Sequence, residues 1–209
     1  MEYQNLITRK TNLQNNDSLT IYDGWPAQQN PYAFELFFNF IKKVKPSRII
    51  EIGTSLGGFT KFLNSTCKKL GIDCKVVTYD IYNKNEYTTL IKEGIDVKIE
   101  NVFNSNYTSL KEDVISFIKD PGITVVLCDG GDKIREFNLI SNYLKVGDFI
   151  MAHDYAENKT TFENEVHMKL WNWHEISESD IKSACDKNNL HDYERENFKL
   201  GVWVCKIKK

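Results

Sequence analysis

Two aspartates and a histidine, each at the end of an apolar run, are the residues whose types best suit chemistry. Asp129 closes "ITVVLCD", and His153 and Asp154 close "DFIMAHD". Carboxylates with an imidazole can ligate a divalent cation, and the imidazole alone, with an ordinary pKa of about 6.5, can take a hydroxyl proton near neutrality. Neighbours on a regular strand point to opposite faces, so His153 and Asp154 share a site only where the strand has already ended. Lys133 and Asp132, in "CDGGDKIREF", are accounted for by the polarity of a helix start. His167 and His174 stand near Trp171 and Trp173 in "HMKLWNWHEI", which lacks H-E-x-x-H spacing and reads as cover for a sheet edge. There is no G-x-S-x-G elbow, Walker loop or paired Cys-His nucleophile. Five cysteines, scattered and without C-x-x-C spacing, read as small buried hydrophobes rather than a disulfide framework or thiolate cage.

A second group lies in "RIIEIGTSLGGFTKFL". Gly53, Gly57 and Gly58 give G-x-x-x-G-G, and Ser55 takes the place of the middle glycine of the dinucleotide fingerprint G-x-G-x-x-G. That glycine lets backbone approach a pyrophosphate, so a ligand without one does not require it. Glu51 borders the turn with a carboxylate, which repels phosphate and suits a cationic or amine-bearing ligand. Asp80, ending "VVTYD", stands where an acid accepts hydrogen bonds from ribose hydroxyls, although a helix N-cap explains it almost as well.

The elements that must position these residues follow from periodicity. "PYAFELFFNFIKKV" carries apolar residues at helical spacing between Pro31 and Pro46. The β-branched runs "RIIEIG", "KVVTYD", "DVKIEN" and "ITVVLCD" alternate with helical segments at roughly 57–70, 86–93, 105–119 and 132–145. "DFIMAHD" makes a fifth strand, a further helix begins near Ser179, and "HDYERENFKLGVWVCKIKK" reads as two strands around a turn near Leu200 and Gly201. The fold class expected is α/β: a doubly wound (Rossmann-like), mostly parallel seven-stranded sheet with helices on both faces and a C-terminal antiparallel hairpin. A single domain over 1–209 is expected, with an irregular N-terminal arm at 1–30, a cofactor-binding core at 31–155, and a substrate-side segment with the hairpin at 156–209.

Net charge is -2, from 27 basic and 29 acidic residues, so no global field recruits nucleic acid, and no N-P-P-Y-like loop awaits a flipped base. No run approaches the ~20 apolar residues of a membrane span or serves as a secretory signal, and the expected setting is cytoplasmic.

A nucleoside bearing positive charge and no phosphate describes S-adenosylmethionine. Over residues 25–155 the chain resembles class I S-adenosylmethionine-dependent methyltransferases, on "IIEIGTSLGG", "VVTYD", "IENVFN", "VVLCDGG" and "YLKVGDFIMAHDY". "GWPAQQNP", "DGG" and "AHDY" look most like the small-molecule O-methyltransferase branch that includes cephalosporin-hydroxylase-like and rhamnosyl O-methyltransferase-like proteins. The resemblance implies that Glu51, Gly53, Thr54, Gly57 and Gly58 surround the methionine portion, that Asp80 holds the ribose, that Asn101 and Val102 flank the adenine, and that Asp129 borders the same pocket. Related metal-dependent methyltransferases imply a divalent metal, Mg or Mn, as an open expectation at Asp129, Asp154 and His153, while the imidazole chemistry of His153 gives the second reading, His153 as general base with Asp129 as its catalytic partner. "HD" stands where that branch has an acidic pair, which disfavours Mg²⁺ and suits Mn²⁺, Fe²⁺ or Zn²⁺ better. The expected partner is a small-molecule acceptor such as a sugar or secondary metabolite, selected by the N-terminal arm and by 155–178, with a homo-oligomer left open. The rivals are a nicotinamide-dependent oxidoreductase on the same fold and a catalytically silent S-adenosylmethionine-binding protein.

Overall fold

The computed structural model describes residues 2–12 and 17–209. The expected N-terminal arm therefore lies partly outside the described residues, at 1 and 13–16.

Within the described part that arm is regular, which corrects the expectation. Strands β1 (Ile7–Asn12), β2 (Asp17–Tyr22) and β3 (Trp25–Ala27) form an antiparallel three-stranded sheet. The physical reason lies at Asp23 and Gly24, whose φ angles of 49° and 79° make the two-residue hairpin turn that pairs Tyr22 with Trp25. An Asp-Gly pair is the residue choice such a turn demands. Helix α1 (Pro31–Val44) follows, with the Asn30 side chain accepting from the Tyr32 amide at 2.8 Å.

The main sheet takes its strands from β4 (Arg48–Ile52), β5 (Lys75–Asp80), β6 (Asp96–Ile99), β7 (Thr124–Cys128), β8 (Phe149–His153), β9 (Leu190–Asp192) and β10 (Trp203–Lys208). Its spatial order is β6-β5-β4-β7-β8-β10-β9, parallel through β8, with β10 antiparallel to both its neighbours. The crossovers are α2 (Gly58–Lys69), α3 (Tyr87–Lys92), α4 (Glu112–Lys119) and α5 (Lys133–Ile140). After β8 come α6 (Lys159–Thr161), running into a π-helical turn (Phe162–Val166), then α7 (Glu178–Asn188) and α8 (Arg195–Leu200). The fold is the doubly wound one expected.

Three boundaries differ from expectation. The helix expected at 105–119 starts only at Glu112, because the Asn104 side chain accepts from the Thr108 amide and holds a loop instead. The segment at 132–145 is helical to Ile140 and closes in a 3₁₀ turn, Ser141–Tyr143. The expected turn of the C-terminal hairpin is the helix α8.

Period-2 alternation splits the strands between two cores. Ile49, Val76, Val125, Leu127 and Met151 face α1 and α2, in a cluster rich in Phe34, Phe37, Phe59, Phe62 and Trp203. Ile50, Val77, Val126, Cys128 and Ile150 face α4, α5 and α7. Both faces are covered, so the strands read as apolar throughout. Four cysteines are buried and all five are free thiols. Among the described residues no helix is long and apolar enough to cross a membrane. From β4 the chain crosses to β5 on one side, and from β7 to β8 on the other; ligands sit at the carboxyl ends of strands where crossovers diverge in this way.

Candidate active site

A cavity of about 710 Å³ opens at those strand ends, and every residue expected to bind cofactor or metal or to act in catalysis lines it: Glu51, Gly53, Thr54, Gly57, Gly58, Asp80, Asn101, Val102, Asp129, His153 and Asp154.

One half is built on the β4–α2 turn. Gly53, at φ 94°, cannot carry a side chain, since a Cβ there would lie 2.2 Å from the Asp129 carbonyl oxygen; β4 and β7 meet backbone to backbone. A Cβ on Gly58 would lie 2.4 Å from the Pro26 oxygen, so that glycine lets β3 cross the start of α2. Ser55 adopts a left-handed conformation, at φ 50°. Glu51 is buried, and its Oε2 accepts from Thr60 at 2.5 Å and Thr78 at 2.6 Å. Burial pushes its pKa up to about 8, against the lowering effect of those two hydroxyls. Asp80 accepts from the Ser55 amide (3.0 Å) and the Tyr87 hydroxyl (2.8 Å) on Oδ2, and from the Tyr82 amide (2.9 Å) on Oδ1. A carboxylate offers about four acceptor positions, so one remains open. The Tyr87 proton has a second acceptor, the Ser55 carbonyl at 2.9 Å, and turning to it frees another. The Asn101 side chain accepts from the Phe103 amide at 2.9 Å, fixing the loop after β6 beside buried Val102.

The other half lies beyond β7 and β8. His153 is the last residue of β8, and Asp154 turns into the left-handed region at φ 57°. The strand has ended, so both side chains reach one cavity. His153 Nδ1 lies 3.0 Å from Asp129 Oδ1 and 3.5 Å from Asp154 Oδ1. With carboxylates on that side, Nδ1 is the nitrogen that keeps its proton, and in the neutral ring Nε2 carries the lone pair. Nε2 is buried with no hydrogen-bond partner among the described residues. The ring stacks on Trp203 at 4.8 Å and meets Trp171 at 5.0 Å. Burial, the largest influence, lowers the His153 pKa; the charges of Asp129 and Asp154 outweigh it and leave the pKa raised. Asp154 is held below the usual carboxylate range by His153 and Lys133, against the opposing effect of burial. Asp129, His153 and Asp154 offer ligand atoms within 4.8 Å of one another, a donor set compatible by type with a divalent ion.

Five residues of the cavity had been given no part in the site: Lys133, Gln29, Trp171, Trp173 and Glu136. Lys133, assigned above to helix-start polarity, is buried among acids, its Nζ 2.9 Å from Asp154 Oδ2 and 2.7 Å from Glu175 Oε2. Its signal was available: a cation in the first turn of a helix opposes the macrodipole and calls for nearby acids. Gln29 donates from Nε2 to Asp129 Oδ2 at 2.7 Å and accepts from Trp203 Nε1 at 2.9 Å. Trp171 donates to Asp154 Oδ1 and, with Trp173, lines the cavity, correcting the reading of that stretch as edge cover. His167 and His174 pack against Phe162 and stand apart from the acids. Glu136 accepts from the Gly130 and Asp132 amides, and burial raises its pKa to about 7.

A family model described as rhamnosyl O-methyltransferase/CmcI matches residues 17–190. The chain belongs to that family. Membership in the rhamnosyl O-methyltransferase/CmcI family makes it an S-adenosylmethionine-dependent methyltransferase, as the resemblance implied. An apo structure of CmcI superposes with a TM-score of 0.64 at 12% identity, covering 90% of this chain and 76% of that one. A CmcI structure described as Mg-SAM gives 0.61 at 15% identity, over 90% and 76%. An O-methyltransferase family protein from Burkholderia thailandensis gives 0.52 at 7%, over 85% and 55%. At such identities the likeness is one of fold. A search of curated proteins returns no match.

Proposed function

We propose that this family member methylates a hydroxyl oxygen of a small molecule, a sugar or secondary metabolite, with His153 as the general base. The observation that carries this reading is the buried Nε2 of His153, without a hydrogen-bond partner among the described residues, on a residue that lines the same cavity as the glycine turn. S-adenosylmethionine, when bound, supplies an electrophilic methyl carbon on a positively charged sulfur. The chain's residues fit such a donor: Glu51 lines the cavity with all its hydrogen bonds on Oε2, leaving Oε1 for a cationic group. Asp80 has room for ribose hydroxyls once Tyr87 turns to Ser55, and Asn101 and Val102 offer a wall for the adenine.

At the other end, His153 Nε2 would accept the hydroxyl proton as the acceptor's oxygen takes the methyl from sulfur, the S–CH₃ bond breaking to leave S-adenosylhomocysteine, and Asp129 holds the imidazole by its Nδ1–H and stabilises the charge it gains. Trp171, Trp173 and residues Gln28 and Gln29 surround the place where the acceptor would enter, in keeping with acceptor selection by the N-terminal segment and 155–178. The Mg of one CmcI structure raises the same question for this chain. The donor types suit a cation, but the arrangement does not leave them free, since the Lys133 ammonium already stands against Asp154.

Thermal shift with S-adenosylmethionine and with NAD separates this reading from the oxidoreductase. Stabilisation by the first alone is expected, and stabilisation by NAD alone would refute it. Turnover on a panel of hydroxylated acceptors, including rhamnosides, is then read as S-adenosylhomocysteine. His153→Ala should lower that turnover by about 10²–10⁴-fold, the range of general-base catalysis. Intact methylation in the variant across pH would remove His153 as the base.

A further inference from the structure

The Lys133 side chain is 6% exposed, and its Nζ lies 2.7 Å from Glu175 Oε2, 2.9 Å from Asp154 Oδ2 and 3.8 Å from Asp129 Oδ1. It also donates to the Gly130 carbonyl at 3.0 Å. Three acceptors within hydrogen-bond distance match the three protons of an ammonium. Each carboxylate oxygen of the site also has one donor beside it already. Asp129 Oδ1 faces His153 Nδ1 at 3.0 Å and Oδ2 takes the Gln29 amide at 2.7 Å. Asp154 Oδ1 takes the Trp171 indole and Oδ2 takes Lys133. A dication at these carboxylates would stand beside the buried Lys133 ammonium, which already meets both of them, and like charges so close together in a buried site repel.

We propose that the Lys133 ammonium is the resident cation of this site, standing where a divalent metal would otherwise bind Asp129 and Asp154, so that the protein takes up no divalent ion there. Lys133 is then a positioning residue: fixed at the first position of α5, it sets the two carboxylates that orient His153 and ties them to Glu175 in the segment carrying Trp171 and Trp173. The purpose of the arrangement rests on the methyl-transfer reading; the occupancy does not, and it is measured without turnover.

Titration of the purified, metal-stripped protein with Mn²⁺, followed by the electron paramagnetic resonance signal of the free ion, tests it. The parent protein is expected to leave that signal unchanged at equimolar and millimolar ion. Lys133→Met keeps the length of the side chain and removes its charge; that protein is expected to bind one Mn²⁺ at least tenfold more tightly than any residual binding by the parent. Adding Asp154→Asn to it should abolish the gain. Stoichiometric Mn²⁺ binding by the parent overturns the proposal whether or not the variant folds. So does a folded Lys133→Met protein, checked by circular dichroism, that gains no binding. A parent protein that ignores Mn²⁺ and also methylates nothing supports the occupancy and tells only against the methyl-transfer reading.

Discussion

Glu51 offers the sharpest link between the buried chemistry of the β4–α2 turn and a measurable quantity. With its pKa pushed up to about 8 by burial, Glu51 carries a proton in roughly nine molecules of ten at pH 7 while no ligand is bound. A cationic group about 5 Å away at an effective dielectric of about 20 favours the carboxylate by about 3 kcal/mol, or roughly two pKa units, bringing the bound-state pKa to about 6. Binding S-adenosylmethionine at pH 7 should therefore release about 0.8 of a proton. Glu51→Gln keeps an acceptor for Thr60 and Thr78 and removes the charge. The affinity ratio of parent to variant should then be about 1 at pH 5, about 10 at pH 7 and roughly 100 at pH 9. Isothermal titration calorimetry in buffers of different ionisation enthalpy reads the proton directly. A binding enthalpy independent of buffer, with an affinity ratio flat from pH 5 to 9, would refute the placement of a cation beside Glu51. The same shift carries a stability consequence. The folded chain keeps a proton that the unfolded chain gives up, so the stabilisation is complete below pH 4.5 and is lost as pH rises to about 8. Without ligand, Glu51→Gln should be the more stable protein above pH 8, by at most about 5 kcal/mol.

Three further substitutions bear on the site. Asp80→Ala removes the acceptor of the Ser55 and Tyr82 amides and should weaken S-adenosylmethionine binding more than tenfold in calorimetry; unchanged affinity would remove the ribose role. Gly58→Ala drives a Cβ against the Pro26 and Trp25 carbonyl oxygens, at 2.4 and 2.7 Å. Overpacking of this kind costs about 1–3 kcal/mol, a fall in melting temperature of roughly 2–12 °C by differential scanning fluorimetry, and an unchanged midpoint would show that β3 is free to lift from α2. Gln29→Leu leaves Trp203 Nε1 without its acceptor and Asp129 Oδ2 without its donor. Two such losses cost about 2–6 kcal/mol in chemical denaturation, and a variant as stable as its parent would show that both groups find other partners.

The parallel half of the fold was legible because its strands bury both faces and its helices one, which leaves an unbroken apolar run in "IIEI" or "VVLC" and 3.6-residue spacing between. The N-terminal sheet was not, since Asn and Gln mask the alternation, although Asp23-Gly24 announced a hairpin turn that composition alone concealed. The half of the cavity built on the glycine turn was legible for a related reason: its residues sit within a few positions of strand ends, where topology alone brings them together. The half beyond β7 and β8 depends also on meetings across the chain, Gln29 with Asp129 and Lys133 with Glu175, that no local pattern encodes. A lysine opening a helix against its dipole was the one trace left in the sequence, and it has a direct physical reading. The acids that make that position tolerable are the same acids that a metal would need. A chain that spends a buried ammonium on Asp129 and Asp154 has already satisfied the charge a metal would answer, which is why the pairing of "HD" with Lys133, rather than "HD" alone, decides what kind of cation this site holds.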